Sequence, residues 1–275
     1  MTPTPGATAR TPGVDPPRAA LVVLAAGEGS RVGHDTNKVL LPLAGRRVFT
    51  WSIRWALSLP YVDHVVLVIR ESDRDLVMRS LARELPDADV SVVAGGSTRH
   101  ESEWSALQAL APRIESGETE VVVIHDAARP LAGAQVFLDV IDAATTYGGA
   151  LPVREQPALT NLDHTAEPEA RRTVAVQTPQ AFRAVPLLQA YSEASADGFV
   201  GTDTASCVER YTDVAVRCVS GDAGNIKITF PEDLFLAERL LAKAGWDLSR
   251  HTGRSGGTGR TRTERPQQGT RRRRG

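Results

Sequence analysis

Residues Leu21, Val22, Val23 and Leu24 form an apolar run with no polar position, and it stops abruptly at Ala25-Ala26-Gly27-Glu28-Gly29. A strand without a polar face must be covered on both sides, which suits the parallel sheet of an α/β protein. The small residues that follow suit a turn whose backbone N–H groups face an anion. Arg31 and Lys38 come next and supply positive charge. The order strand, glycine turn, cations fits a triphosphate. Gly27-x-Gly29-x-x-x-Gly33 is one residue longer than the dinucleotide fingerprint G-x-G-x-x-G, and no G-x-x-x-x-G-K-[ST] occurs.

Strand and helix patterns then alternate. Apolar spacing predicts a helix from Val48 to Leu59, a strand over Val65–Ile69, and a helix from Asp73 to Leu85 with Ser72 or Asp73 as N-cap. A strand over Val90–Val93, a helix from Ser102 to Leu110, a strand from Val121 to Ile124 leading into His125-Asp126, and a helix from Ala134 to Tyr147 follow. This rhythm predicts a mostly parallel sheet with helices on both faces. Ligands of such sheets sit at the carboxyl ends of the strands. The turn at 25–33, the Gly95-Gly96 pair and Asp126 all follow strands, so three loops converge on one crevice. A short strand at Leu151–Val153 gives way to a polar stretch over 154–173. Beyond it come a helix over 184–195, a helix start at Thr202-Asp203, a strand near Val214–Val219, and a last helix from Pro231 to about Ala244. No internal repeat is visible.

The ends read differently. Residues 1–18 are rich in Pro, Thr and Gly without apolar period, the composition of a disordered extension. Residues 249–275 hold nine arginines against one glutamate. The net charge of −1 therefore combines a basic tail with an acidic body. An acidic body argues against nucleic acid as its partner. The tail has the charge to bind nucleic acid or an acidic partner, and otherwise reads as a solvated extension. The expected organisation is an N-terminal extension over 1–18, one domain over 19–245 and a disordered tail over 246–275; about 230 residues suffice for a single α/β domain. Cys207 and Cys218 are the only cysteines and form no C-x-x-C pair, so a disulfide framework or zinc site is not expected. With no leader-like start and no apolar run of membrane-spanning length, the expected location is the cytoplasm.

Four further segments carry chemistry: Gly95-Gly96-x-x-Arg99-x-x-Ser102, His125-Asp126-Ala127-Ala128-Arg129-Pro130, Gln177-Thr178-Pro179-Gln180 and Asn225-Ile226-Lys227-Ile228-Thr229. Together with A-A-G-x-G-x-R and Leu41-Pro42-Leu43-Ala44-Gly45, this set resembles the cytidylyltransferases that join a polyol phosphate to CTP. The nearest resemblance is to the 2-C-methyl-D-erythritol 4-phosphate cytidylyltransferase family. It implies a Rossmann-like nucleotidyltransferase fold of the GT-A-like kind, with a projecting β-arm at about 151–175 that packs across a homodimer.

The resemblance also implies roles. Arg31, Lys38 and Lys227 would be catalytic. Ala25, Ala26, Gly27, Gly29, Gly95, Gly96, Arg99, Ser102, Asp126 and Ala127 would bind CTP, with Asp126 also a ligand of Mg²⁺ or another divalent cation. Arg129, Thr178, Thr202, Asp203 and Lys227 would bind the acceptor, Lys227 across the dimer interface. His125 reads as a packing or hydrogen-bonding residue, and Ser102 could also cap the helix after it. The attacking phosphate is already anionic, so such a reaction needs positioning and neutralised charge more than a strong base.

The chain departs from the family pattern at several points. Asn37 stands where proline is usual, and Val39 where glutamine is frequent. Glu103-Trp104 stands where a small or apolar residue is usual, and Thr204 where T-D-D or T-D-E carries an acid. Residues 153–161, VREQPALTN, lack the D-T-x-K of the arm. The lost D-T-x-K leaves a different acceptor open, such as ribitol 5-phosphate, beside methylerythritol phosphate. A non-catalytic nucleotide-binding protein is the alternative of another class, against which Arg31, Lys38, Asp126 and Lys227 all argue. A dehydrogenase does not fit: Ile69 is followed by Arg70 rather than an acidic residue.

Overall fold

The computed structural model describes residues 17–27, 37–156 and 173–244. Gly29 and Arg31, the middle of the arm and the arginine-rich tail lie outside the described residues. In chain order the elements are β1 (Ala19–Leu24), β2 (Pro42–Leu43), β3 (Arg46–Arg47), α1 (Val48–Leu57), β4 (Val62–Ile69), α2 (Arg74–Glu84), β5 (Val90–Ala94), α3 (Arg99–Glu115), β6 (Val121–Asp126), α4 (Gly133–Tyr147), β7 (Gly148–Glu155), β8 (Val174–Val176), β9 (Gln180–Arg183), α5 (Ala184–Asp197), α6 (Thr204–Tyr211), β10 (Ala215–Ser220) and α7 (Pro231–Lys243).

The main sheet runs β10-β7-β9-β6-β1-β4-β5, with β8 attached to β7. β6, β1, β4 and β5 pair in parallel, and β9 is antiparallel to both of its neighbours. The sheet is thus mixed but mostly parallel, as the alternating pattern predicts. β1 sits between β4 and β6, and its side chains divide by parity as the pleat requires. Ala19, Leu21 and Val23 join Phe49 and Ile53 of α1, Val77 and Leu81 of α2, and Phe137, Val140 and Ile141 of α4. Ala20 and Val22 face the opposite layer, built by Leu107 and Leu110 of α3, Leu187 and Tyr191 of α5, and Val208 of α6.

Most element boundaries fall close to the sequence pattern, and the exceptions have identifiable causes. α3 starts at Arg99 rather than Ser102. Its cap is Thr98, whose hydroxyl accepts from Glu101 N while Glu101 returns a bond to Thr98 N, a capping box. The polar first turn conceals this start from an apolar-period reading. Ser102 therefore lies inside the helix and donates to Thr98 O at 2.9 Å. Neither Ser72 nor Asp73 caps α2 through its side chain: Ser72 belongs to a 3-10 turn over Glu71–Asp73, and the Asp73 carboxylate is committed to Arg70 and Asn37. The β2–β3 hairpin escaped notice because each strand has two residues; its turn places Ala44 at φ 49° and Gly45 at φ 80°.

The legs of the arm are described. Val153, Arg154 and Glu155 of β7 pair with Val176, Ala175 and Val174 of β8. The segment Asn225–Thr229 is neither helix nor strand. It is held from below by a third apolar cluster, in which Ile228 packs with Leu43, Val48, Trp51, Ala237 and Leu241. Ile228 N also donates to Ala128 O at 2.8 Å. Truncating Ile228 to alanine should cost about 2–5 kcal/mol and accelerate hydrogen exchange at its own amide. An unchanged exchange rate would show that the segment is held by hydrogen bonds alone.

Candidate active site

The carboxyl ends of β1, β4, β5 and β6 open into a cleft of about 600 Å³. Its wall includes Ala25, Ala26 and Gly27 after β1, Arg70 after β4, Gly96 before α3, Arg99 and Ser102 on α3, and Asp126 at the end of β6. Lys38 enters from the 3-10 turn Lys38–Leu40, and Lys227 from the irregular 225–229 segment. The three loops expected to converge do so, because adjacent parallel strands deliver their ends to one edge of the sheet.

The turn after β1 is braced on both sides. Ala25 N donates to Val68 O at 2.7 Å, and Ala25 O accepts from Asn37 Nδ2 at 2.8 Å. Both backbone polar groups of Ala25 are therefore engaged, and amides facing an anion must come from Ala26 onward. Asn37 also donates to Asp73 Oδ2 at 3.2 Å, and Asp73 takes a two-point bond from Arg70. The asparagine in place of the usual proline thus ties the glycine turn, Lys38's own turn and the start of α2 together. Sequence reasoning noted Asn37 only as a departure and Arg70 only as a non-acidic residue after a strand; the ties of Asn37 to Ala25 and of both to Asp73 are visible only in the fold.

The glycines differ in what they do. A side chain on Gly95 would meet Ala26 Cβ at 2.6 Å and Ser102 Oγ at 2.7 Å, so this glycine lets the β1 and β5 loops pack face to face. Gly27 has nothing within 4 Å of such a position. Gly27→Ala should then leave the melting temperature unchanged and weaken nucleotide binding, whereas Gly95→Ala should lower both. Equal thermal losses, read by calorimetry with and without nucleotide, would contradict this division.

Asp126 is 6 % exposed. Its Oδ1 accepts from Arg99 Nη1, and its Oδ2 accepts from Lys227 Nζ at 2.7 Å. Burial alone would raise its pKa, but Arg99 and Lys227 outweigh burial and hold the carboxyl well below the usual carboxylate range. Arg99 is raised by Asp126 and Glu103 despite its own burial and stays charged. Asp126 N donates to Thr178 Oγ1 at 3.0 Å, and Thr178 Oγ1 lies 3.2 Å from His125 Nδ1. His125 Nε2 faces only a carbonyl acceptor, Arg129 O, at 3.1 Å. It must therefore carry the proton, leaving Nδ1 to accept from the threonine hydroxyl. Burial pushes His125 down to about 4, so the ring is neutral. This agrees with its reading as a hydrogen-bonding residue.

Several expected contacts take other forms. Ala127 is fully buried in the core, and Ala128 lines the cleft instead. The Thr178 hydroxyl is spent on Asp126 and His125. Arg129 donates to Asn225 O at 2.8 Å and Asn225 Nδ2 to Thr178 O at 2.9 Å, so these residues clamp the 225–229 segment. Lys227 consequently reaches Asp126 of its own chain. Asp203 is the N-cap of α6, accepting from Ser206 N at 2.9 Å, and neither it nor exposed Thr202 lines the cleft.

The family model for 2-C-methyl-D-erythritol 4-phosphate cytidylyltransferase matches residues 19–243. The chain belongs to that family. It is accordingly a CTP-dependent nucleotidyltransferase. The 2-C-methyl-D-erythritol 4-phosphate cytidylyltransferase of Symbiobacterium thermophilum is 39% identical over 227 residues, covering 81% of this chain and 92% of the relative. That of Thermobifida fusca is 36% identical over 236 residues, covering 82% and 94%. Among solved structures, 4-diphosphocytidyl-2C-methyl-D-erythritol synthase from Anaerococcus prevotii superposes with a TM-score of 0.70 at 28% identity, covering 83% of this chain and 97% of that one. The family match runs from the start of β1 to the end of α7. No described helix is long and apolar enough to cross a membrane.

Proposed function

We propose that this cleft transfers CMP from CTP to 2-C-methyl-D-erythritol 4-phosphate, giving 4-diphosphocytidyl-2-C-methyl-D-erythritol and pyrophosphate. The convergence of Lys38, Lys227, Arg99 and Asp126 on the glycine turn carries this reading, together with membership of the family. A phosphate-monoester oxygen of the acceptor attacks the α-phosphorus, forming one P–O bond while the bond to the β-phosphate bridge breaks. The nucleophile needs no proton removed, so the work is to bring two anions together and spread their charge.

The residues divide that work. Amides from Ala26 onward, with Arg31 and Lys38, receive the triphosphate, the two cations being suited to phosphate oxygens in different ways, Arg31 as a fork and Lys38 as a point charge. Gly96 and Ser102 on the β5 side form the wall for the nucleoside. Lys227 stands beside Asp126, where the two phosphates would meet, and its ammonium can pass from the carboxylate to phosphate oxygen as substrates enter. Asp126 suits a divalent cation: its oxygens are hard donors, and it is the one acidic side chain on the described cleft wall. Among the described residues no cluster of three or more candidate ligands exists. Such a site fits Mg²⁺, which takes most ligands from phosphates and water. When bound, the metal would neutralise charge on the triphosphate.

We further propose a homodimer formed through the arm. The exposed Val174 and Val176 on its described leg support a packing surface there.

Pyrophosphate release from CTP should occur with methylerythritol phosphate and be far slower with ribitol 5-phosphate. Lys38→Ala or Lys227→Ala should cut kcat by about 100-fold or more, with little change in thermal stability for Lys38→Ala and a lowered melting temperature for Lys227→Ala, which takes one cation from buried Asp126. Preference for ribitol 5-phosphate would reassign the acceptor, and near-normal turnover in either variant would remove that lysine from the mechanism.

A further inference from the structure

Two departures from the family pattern lie 101 residues apart in sequence and touch in the fold. Glu103 stands on α3 where a small or apolar residue is usual, and Thr204 opens α6 where an acid is usual. Thr204 Oγ1 donates to Glu103 Oε1 at 2.8 Å. One side chain on α3 and one on α6 therefore meet in a single hydrogen bond.

Glu103 is 1 % exposed. A buried carboxylate is costly unless paired and hydrogen-bonded. Here both oxygens are supplied. Oε1 accepts from Thr204 and from Arg99 Nε at 2.9 Å, one helical turn back on α3. Oε2 accepts from the Tyr191 hydroxyl. Tyr191 is itself fixed by stacking on His100, with ring centroids 4.6 Å apart. Three helices, α3, α5 and α6, thus converge on one carboxylate.

The consequence lies at Arg99. Its Nε edge is taken by Glu103 and its Nη1 by Asp126. Two carboxylates on different edges of a planar fork fix its position and its plane, where one would leave it free to swing. Without Glu103 the guanidinium would answer to Asp126 alone and carry one uncompensated charge in the floor of the cleft.

We propose that Glu103 is a positioning residue for the nucleotide site: it holds Arg99 in register with Asp126, and does from α3 what an acid at position 204 would do from α6. The inference rests on reading the cleft as the CTP site.

Relocating the carboxylate tests it. CTP binding by titration calorimetry, kcat and KM for CTP, and melting temperature are measured for the wild type, Glu103→Gln, Glu103→Val, and the double variant Glu103→Val with Thr204→Asp. Binding of CTP to the wild type checks the underlying reading first; its absence would refute that reading and not the positioning role. Glu103→Gln, which keeps the shape, should weaken CTP binding about tenfold or more at a temperature where it is fully folded. Glu103→Val should be at least as impaired, and the double variant should return to within about threefold of the wild type. If Glu103→Val does not fold, recovery of both folding and CTP affinity by the double variant is the expected result. Unchanged CTP affinity in Glu103→Gln, or a double variant that regains stability without affinity, would overturn the proposal and leave Glu103 a core pair only.

Discussion

β1 has no polar face, and the rest of the architecture follows from that constraint. Its alternate side chains must be covered from both sides, so α1, α2 and α4 pack on one layer and α3, α5 and α6 on the other. Once both faces of the sheet are closed, the open space lies at the strand ends. The backbone turns there, and the parallel arrangement aligns those turns on one edge. The position of the cleft is thus a result of covering an apolar strand rather than a separate feature.

Charge inside that cleft is organised around Asp126. Buried at the end of β6, it is tolerable only because Arg99 and Lys227 meet it and Thr178 receives its amide. Each partner is held in turn. Arg99 is gripped by Glu103, and Thr178 is oriented by neutral His125. Lys227 is carried on a segment anchored by Ile228, Arg129 and Asn225. Among the described residues, Arg99 and Asp126 are thus held by protein groups on more than one side. A reaction between two anions gains from cations already positioned in this way, leaving the Lys227 ammonium as the group that shifts when the charges come together.

The departures at 37 and 103 are polar residues placed where the family pattern is less polar, and each acts through a neighbour. Asn37 replaces a rigid residue with a hydrogen-bonded tie between the glycine turn and Asp73. Glu103 brings a charge into a core position and finds three donors there. Both are compensated locally by hydrogen-bond partners on neighbouring elements.

The sequence by itself determined the class of fold, the order of most elements and the strand ends where ligands gather. Apolar periodicity and glycine placement are local signals, and β1, Gly27 and Asp126 carry them openly. It also placed Lys38 and Lys227 among the cleft cations, through motifs rather than periodicity. Tertiary structure decided the rest, because it concerned pairs distant in the chain. Only the fold shows that Asp203 caps a helix and does not line the cleft, and that Ala128, buried in the same core cluster as Ala127, is the one of the two that contributes to the cleft wall. It likewise sends Lys227 to its own chain's Asp126. The start of α3 was hidden because a capping box is polar and interrupts the apolar period. Glu103 and Thr204 read as two unrelated losses of pattern along the chain. They become one exchange when α3 and α6 pack together, since a buried carboxylate is defined by the donors around it, and those come from helices the chain order keeps apart.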